Sequence, residues 1–114
     1  MPCIFCKIIQ KEIPCKLAYE DEEILAFHDI SPQAPIHILV IPKQHCPTLN
    51  SVEKDNLGLI SKMYGVVQKI VKEQKIDQSG YRCVINTNAQ GGQTVFHLHL
   101  HILGGKQLGG GMVG

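Results

Sequence analysis

The chain has 114 residues, 44% of them hydrophobic, with 11 Lys+Arg against 10 Asp+Glu and no Trp. That length suits one domain with a core of its own, and the apolar content argues against disorder. A net charge of +1 excludes a strongly basic face for nucleic acid polymers, and no run of roughly 18 apolar residues is present to cross a membrane.

The opening residues Met1 to Lys7 lack a basic stretch leading into an apolar one, so no signal peptide is expected. Five cysteines, Cys3, Cys6, Cys15, Cys46 and Cys83, form an odd set. Without an export signal they read as free thiols of a cytoplasmic protein rather than as a disulfide framework. Cys3 and Cys6 make a C-x-x-C pair, which by itself points to either a metal or a redox site; Cys46 and Cys83 read as core residues. The segment Ile4 to Ile9 predicts a short helical turn ahead of Pro14. Leu17-Ala18-Tyr19-Glu20 and Ile24-Leu25-Ala26-Phe27 predict two short strands about the polar turn Asp21-Glu22-Glu23. Two prolines in Ser31-Pro32-Gln33-Ala34-Pro35 preclude a central strand or a helix interior there.

Ile36-His37-Ile38-Leu39-Val40-Ile41 is a nearly continuous apolar run stopped by Pro42, which predicts a strand buried on both faces. From Ser51 to Lys75 the period lengthens: Leu57, Ile60, Tyr64, Val67 and Val71 recur at steps of three and four. This predicts the one long helix, with Ser51 as N-cap, Glu53 in the first turn and Gly80 just past the end. Its two interior glycines, Gly58 and Gly65, weaken it by on the order of 1 kcal/mol each and suggest close approach of another backbone. Tyr81 to Asn86 and Val95 to Leu103 predict two further strands, joined by the glycine-containing loop Thr87 to Thr94. The tail from about residue 107 to 114 is glycine-rich and expected to be flexible. The sum is a single α+β domain over residues 1–114: an antiparallel sheet of about five strands with one long and one short helix.

Half of the six histidines fall in His97-Leu98-His99-Leu100-His101-Ile102-Leu103. In a strand, alternate residues share a face, so Leu98, Leu100 and Ile102 would meet the core while His97, His99 and His101 line the other side. One reading is a metal site. However, His97 and His101 would lie roughly 13 Å apart along a strand, too far for one tetrahedral ion with nitrogens at about 2.1 Å. Another is nucleophilic chemistry on phosphorus, with a central neutral imidazole attacking and its neighbours donating hydrogen bonds. A third is a solvated histidine-rich strand. The adjacent Gly91-Gly92-Gln93-Thr94 offers backbone N–H groups, an amide and a hydroxyl to a phosphate. With Arg82 as the single arginine, imidazoles and neutral donors suit one phosphoryl group better than a polyphosphate.

The segment His97 to Leu103 resembles the signature His-φ-His-φ-His-φ-φ, φ being apolar, of the histidine triad superfamily. Phe27-His28-Asp29-Ile30-Ser31-Pro32-Gln33-Ala34-Pro35, Leu39-Val40-Ile41-Pro42-Lys43, Gly91-Gly92-Gln93-Thr94 and Leu103-Gly104-Gly105 resemble the Hint branch, in the family's order, so the likeness runs from about Ile4 to Lys106. It implies a homodimeric hydrolase of purine nucleoside 5′-phosphoramidates that cleaves the P–N bond through a covalent nucleotidyl-histidine. By resemblance His99 is the nucleophile, His101 contacts the phosphate, Thr94 lies near the leaving group and His37 is the fourth histidine of the site. Asp29 matches a ribose-hydroxyl acceptor; Ile8, Phe27, His28 and Ile30 match the nucleobase pocket; Asn86, Gly92 and Gln93 match the groups around the phosphate. Taken alone, His37 could equally be a satisfied core histidine and Asp29 a turn former.

Two departures from the pattern matter. The family's aromatic, proline-rich tail is replaced here by Gln107-Leu108-Gly109-Gly110-Gly111-Met112. Cys3, Cys6, His45 and His97 match the structural zinc ligands of some members, although no cofactor is implied for the chemistry itself. Two other functions fit the same residues: a non-catalytic nucleotide-binding interaction protein, and a zinc-dependent hydrolase that uses the triad histidines as ligands.

Overall fold

Strand β3 (Ile36–Pro42) sits in the middle of the sheet and is apolar on both faces, which is why it reads as an unbroken hydrophobic run. The computed structural model describes residues 3–113; Met1, Pro2 and Gly114, the ends of the expected domain, lie outside the described residues. Beside β3 stand β1 (Leu17–Glu20), β2 (Ile24–His28), β4 (Tyr81–Val84) and β5 (Leu100–Gly104), all antiparallel in the order β1-β2-β3-β5-β4. The β1–β2 turn closes as expected. Oδ1 of Asp21 accepts from the N–H groups of Glu23 and Ile24 at 2.8 Å, an Asx turn.

Side chains sort by parity onto two faces. Ile24, Ala26, Ile38, Val40, Leu98, Leu100 and Ile102 pack against the long helix α2 (Gly58–Glu73). Leu25, Phe27, Leu39 and Ile41 form a second, smaller core with Phe5 and Ile8 of the short helix α1 (Ile4–Ile9). This second face also carries His37 and His101, because in the β3–β5 register His37 faces Leu103 and Leu39 faces His101.

The long helix differs from its prediction at the start. Residues Leu49–Ser51 and Lys54–Asn56 form two 3₁₀ turns, and α2 begins only at Gly58. Thr48, not Ser51, caps the first of these turns through Asn50 N–H, and α2 has no side-chain cap. The buried stripe is Leu59, Met63, Val66, Val67, Ile70 and Val71, whereas Leu57 and Tyr64 are exposed. The helix ends through Lys75 at φ 60°, five residues before Gly80. Among the described residues, the helix's own nearby backbone aside, no heavy atom lies within 4 Å of where a Cβ on Gly58 or Gly65 would stand, so neither serves a close approach to another element.

The last strand also differs, starting at Leu100 rather than Val95. Continuing its register would set Leu98 opposite Pro42, which has no N–H for a ladder bond; the Leu98 N–H instead bonds Cys46 O at 2.6 Å. The alternation nevertheless persists through this irregular stretch, with Leu98 and Leu100 under α2 and the histidines on the opposite side.

Candidate active site

On the α1 face lies a cavity of about 300 Å³, walled by Phe5 and Ile8 of α1, Phe27, Leu39 and Val95, and edged by His28, Asp29, Ile30, Thr94, His99 and His101. Apolar and polar side chains both contribute to its lining. Ile30 is almost wholly exposed at the rim. Of the residues singled out from the sequence, Ile8, Phe27, His28, Asp29, Ile30, Thr94, His99 and His101 therefore come together. Ile4, Phe5, Ile13, Pro14, Cys15, Leu39 and Val95 complete the lining unforeseen; of these only Phe5 had a signal, its apolar helical spacing with Ile8.

Hydrogen bonds fix the tautomers of His99, His37 and His101. His99, 7% exposed, donates from Nδ1 to the carbonyl of His97 at 2.8 Å, which leaves Nε2 with a free lone pair. Among the described residues no buried side-chain nitrogen or oxygen lacks a partner, so this Nε2, unbonded within the chain, opens on the cavity. His37 lies behind the wall, buried. Its Nδ1 accepts the Gln33 N–H at 3.0 Å, so the proton sits on Nε2 and is donated to Nδ1 of His101 at 2.9 Å. Nδ1 of His101 is thereby an acceptor, and its own proton must sit on Nε2. A backbone N–H thus sets two tautomers in sequence. Asp29 is a turn former, Oδ1 accepting from Ser31 N–H at 2.8 Å, and its Oδ2 stands 3.5 Å from His37 Nε2.

Burial pushes the His101 imidazole down to about 4, helped by the neighbouring His99 and His37 and opposed by Asp29. Burial likewise lowers His37, against the pull of Asp29, and lowers His28 together with the nearby Lys16. The unfolded chain protonates His101 near the ordinary 6.5, the folded chain only near 4, so between these values the unfolded state binds more protons. Acidification through that window therefore favours unfolding, by up to about 3 kcal/mol from this ring. Urea unfolding at about pH 7 and about pH 4.5 should show the loss, and His101→Asn should flatten it; an unchanged pH dependence in the variant would contradict the assignment.

The other predicted residues lie elsewhere. Gln93 is fully engaged in pinning its loop: Oε1 accepts from Asn88 N–H, and Nε2 donates to Pro47 O and Val95 O. Gly92 turns at φ 86°, and neither it nor Asn86 lines the cavity. His97, expected to line the site with its two neighbours, does not reach the cavity and is fully buried. Its Nε2 donates to Pro42 O at 2.8 Å, which bares Nδ1 toward Cys3 and Cys6.

There it joins a second cluster, in which Sγ of Cys3 and Cys6 and Nδ1 of His45 and His97 all lie within 4.8 Å of one another. The Cys3 Sγ–His97 Nδ1, Cys6 Sγ–His97 Nδ1 and Cys6 Sγ–His45 Nδ1 distances are 3.4, 3.6 and 3.3 Å, and the two nitrogens are 3.2 Å apart. A tetrahedron with Zn–S about 2.3 Å and Zn–N about 2.0–2.1 Å has S–N edges of about 3.6 Å and N–N edges of about 3.3 Å. The four ligand atoms fit a zinc ion, with the Pro42 carbonyl as the outer partner that orients one imidazole. Cys3 also caps α1, its Sγ accepting from Cys6 N–H at 3.4 Å. His99 belongs neither to this cluster nor to the Asp29/His37/His101 group, so the three triad histidines do not converge on one ion.

The family model described as "Scavenger mRNA decapping enzyme C-term binding" matches residues 2–112. The purine nucleoside phosphoramidase of Escherichia coli (strain K12) is 48% identical over 106 residues, covering 93% of this chain and 89% of that one. A histidine triad protein from Clostridium difficile, solved at 0.95 Å, superposes with a TM-score of 0.94 at 48% identity, covering 96% of this chain and 95% of the other. A HIT family hydrolase from Legionella pneumophila Philadelphia 1 gives a TM-score of 0.91, also at 48% identity, covering 93% and 95%. Fold, sequence and the His-φ-His-φ-His segment agree, and the chain belongs to the histidine triad family, as a hydrolase of that family.

Proposed function

We propose that the chain hydrolyses the P–N bond of purine nucleoside 5′-phosphoramidates through a covalent nucleotidyl-histidine on His99. One observation carries this reading: the His99 Nδ1–H is committed to the His97 carbonyl, so the Nε2 lone pair faces the cavity. The apolar lining, with Phe5, Ile8 and Phe27, suits a flat base; Asp29 Oδ2 suits a ribose hydroxyl; His99, His101 and Thr94 surround the place left for phosphorus.

In the first step Nε2 of His99 attacks phosphorus, forming the P–N(His) bond as the bond to the amine breaks. Positive charge that develops on the ring is met by the carbonyl at Nδ1. The leaving nitrogen departs as the amine with a proton taken from water, the Thr94 hydroxyl and the His101 Nε2–H on the adjoining wall serving as hydrogen-bond donors, and the later attack of water on the nucleotidyl-histidine gives that proton back. His101 remains neutral at pH 7 because of its burial, yet its fixed tautomer keeps a donor available to a phosphoryl oxygen. Water then attacks the nucleotidyl-histidine, releasing the monophosphate and restoring His99. No step requires a metal ion or organic cofactor.

Zinc, held by Cys3, Cys6, His45 and His97, belongs to this reading as a structural ion that ties α1 to the histidine segment. The five thiols are free and fit a reducing cytoplasm. Among the described residues no helix is long and apolar enough to cross a membrane. The outer edge of β4, with Tyr81 exposed, suits pairing with the same edge of a second copy in a symmetric dimer. A double displacement retains configuration at phosphorus. Hydrolysis of a chiral, isotopically labelled adenosine 5′-phosphoramidate should therefore give retention; inversion would exclude the covalent step, and tight nucleotide binding without turnover would favour a binding protein.

A further inference from the structure

Six residues are too few for α1 to be stable by itself in water, so tertiary contacts must hold it. It has two sets of them, on opposite sides. Cys3 and Cys6 reach the zinc-type cluster, whereas Phe5 and Ile8 form part of the cavity wall. The Phe5 ring stands edge-on to His99 at 5.1 Å and 88°, to Phe27 at 5.5 Å and 73°, and to His97 at 5.8 Å and 67°. It therefore touches the nucleophile, the apolar lining of the cavity and a cluster ligand at once. A second link runs through the main chain, since His97 faces the cluster with its ring and holds His99 with its carbonyl.

We propose that Phe5 is a positioning residue that couples the Cys3/Cys6/His45/His97 cluster to the nucleotide pocket, so that zinc and nucleotide tighten each other's binding. This rests on the reading of the cavity as a nucleotide site and adds to it an interdependence of two ligands. A cation that fixes Cys3 and Cys6 fixes the backbone of α1, and with it the edge of Phe5 against His99. A nucleotide packed on Phe5 restrains the same helix and preorganises the thiols. Coupling of this kind is reciprocal by thermodynamic necessity.

The test uses the full chain, with adenosine monophosphate and Zn²⁺ as probes. Calorimetry gives the AMP affinity of zinc-loaded and zinc-stripped protein, and competition with a chromophoric chelator gives the zinc affinity with and without saturating AMP. The expected result is one common factor of at least about fivefold in both directions. In Phe5→Leu, or in Phe5→Met should the leucine variant not fold, the factor should fall below about twofold while both ligands still bind. Coupling through global folding alone would survive either substitution, and that survival would overturn the proposal. So would equal AMP affinity in the two zinc states, or failure of the cluster to bind zinc. If zinc-loaded protein binds no AMP at all, the nucleotide reading itself fails and takes the coupling with it, an outcome distinct from binding that ignores zinc.

Discussion

Replacing His99 with alanine is expected to lower kcat for adenosine 5′-phosphoramidate by on the order of 10⁴-fold, with AMP affinity changed by less than about tenfold. The asymmetry follows from the geometry. Base and ribose meet Phe5, Phe27 and Asp29, which the substitution leaves in place, whereas the imidazole whose Nδ1–H is committed to the His97 carbonyl, and whose Nε2 is the proposed nucleophile, is removed. His101 cannot substitute for it. Its Nδ1 is occupied by the proton of His37 Nε2, its Nε2 carries the remaining proton, and burial keeps the ring neutral. Steady-state kinetics together with AMP titration of the same variant separate the two quantities. Retention of more than a few per cent of wild-type turnover would place the nucleophile elsewhere.

The second large effect concerns stability. Cys6→Ser should abolish stoichiometric zinc and lower the unfolding midpoint by at least about 10 °C, because binding energy at a structural zinc site is folding energy. Cys6 stands 3.3 Å from His45 Nδ1 and 3.6 Å from His97 Nδ1, so its loss opens the cluster on two sides. Elemental analysis of purified wild-type protein checks the occupancy, and thermal unfolding checks the consequence. Wild type free of zinc, or a variant as stable as wild type, would show that four well-placed ligand atoms serve only to pack α1.

Much of this was legible in the sequence because it depends on parity and punctuation. Ile4–Ile9 is helical as expected, the β1–β2 turn falls at Asp21, and β3 carries apolar side chains on both faces. The alternation of Leu98, Leu100 and Ile102 with three histidines survives in the structure even where the ladder does not. What periodicity could not convey was direction in space. His97 and His99 share parity, yet the chain between them is irregular, its Leu98 N–H bonded to Cys46 O instead of to a ladder partner on β3. One ring therefore meets the cysteines and the other the cavity.

The start of α2 was obscured for a similar reason. Apolar residues at steps of three and four occur in 3₁₀ turns as well, so Leu57 extended the pattern without belonging to the buried stripe. Gln93 shows the limit for polar residues: its amide is committed to three backbone groups that lie far from it in sequence or across a turn. The tautomer chain from Gln33 N–H through His37 to His101 was invisible for the same reason, because it joins three segments that only the β3–β5 register brings together.

The most direct measurement is rapid acid- or denaturant-quench of the protein mixed with adenosine 5′-phosphoramidate, followed by mass mapping of the peptides. The expected product is an adenylyl group on the peptide holding His97 to His101, assigned by fragmentation to His99 and formed within the first turnover. An adduct on any other residue, or turnover with no adduct at any quench time, would contradict it.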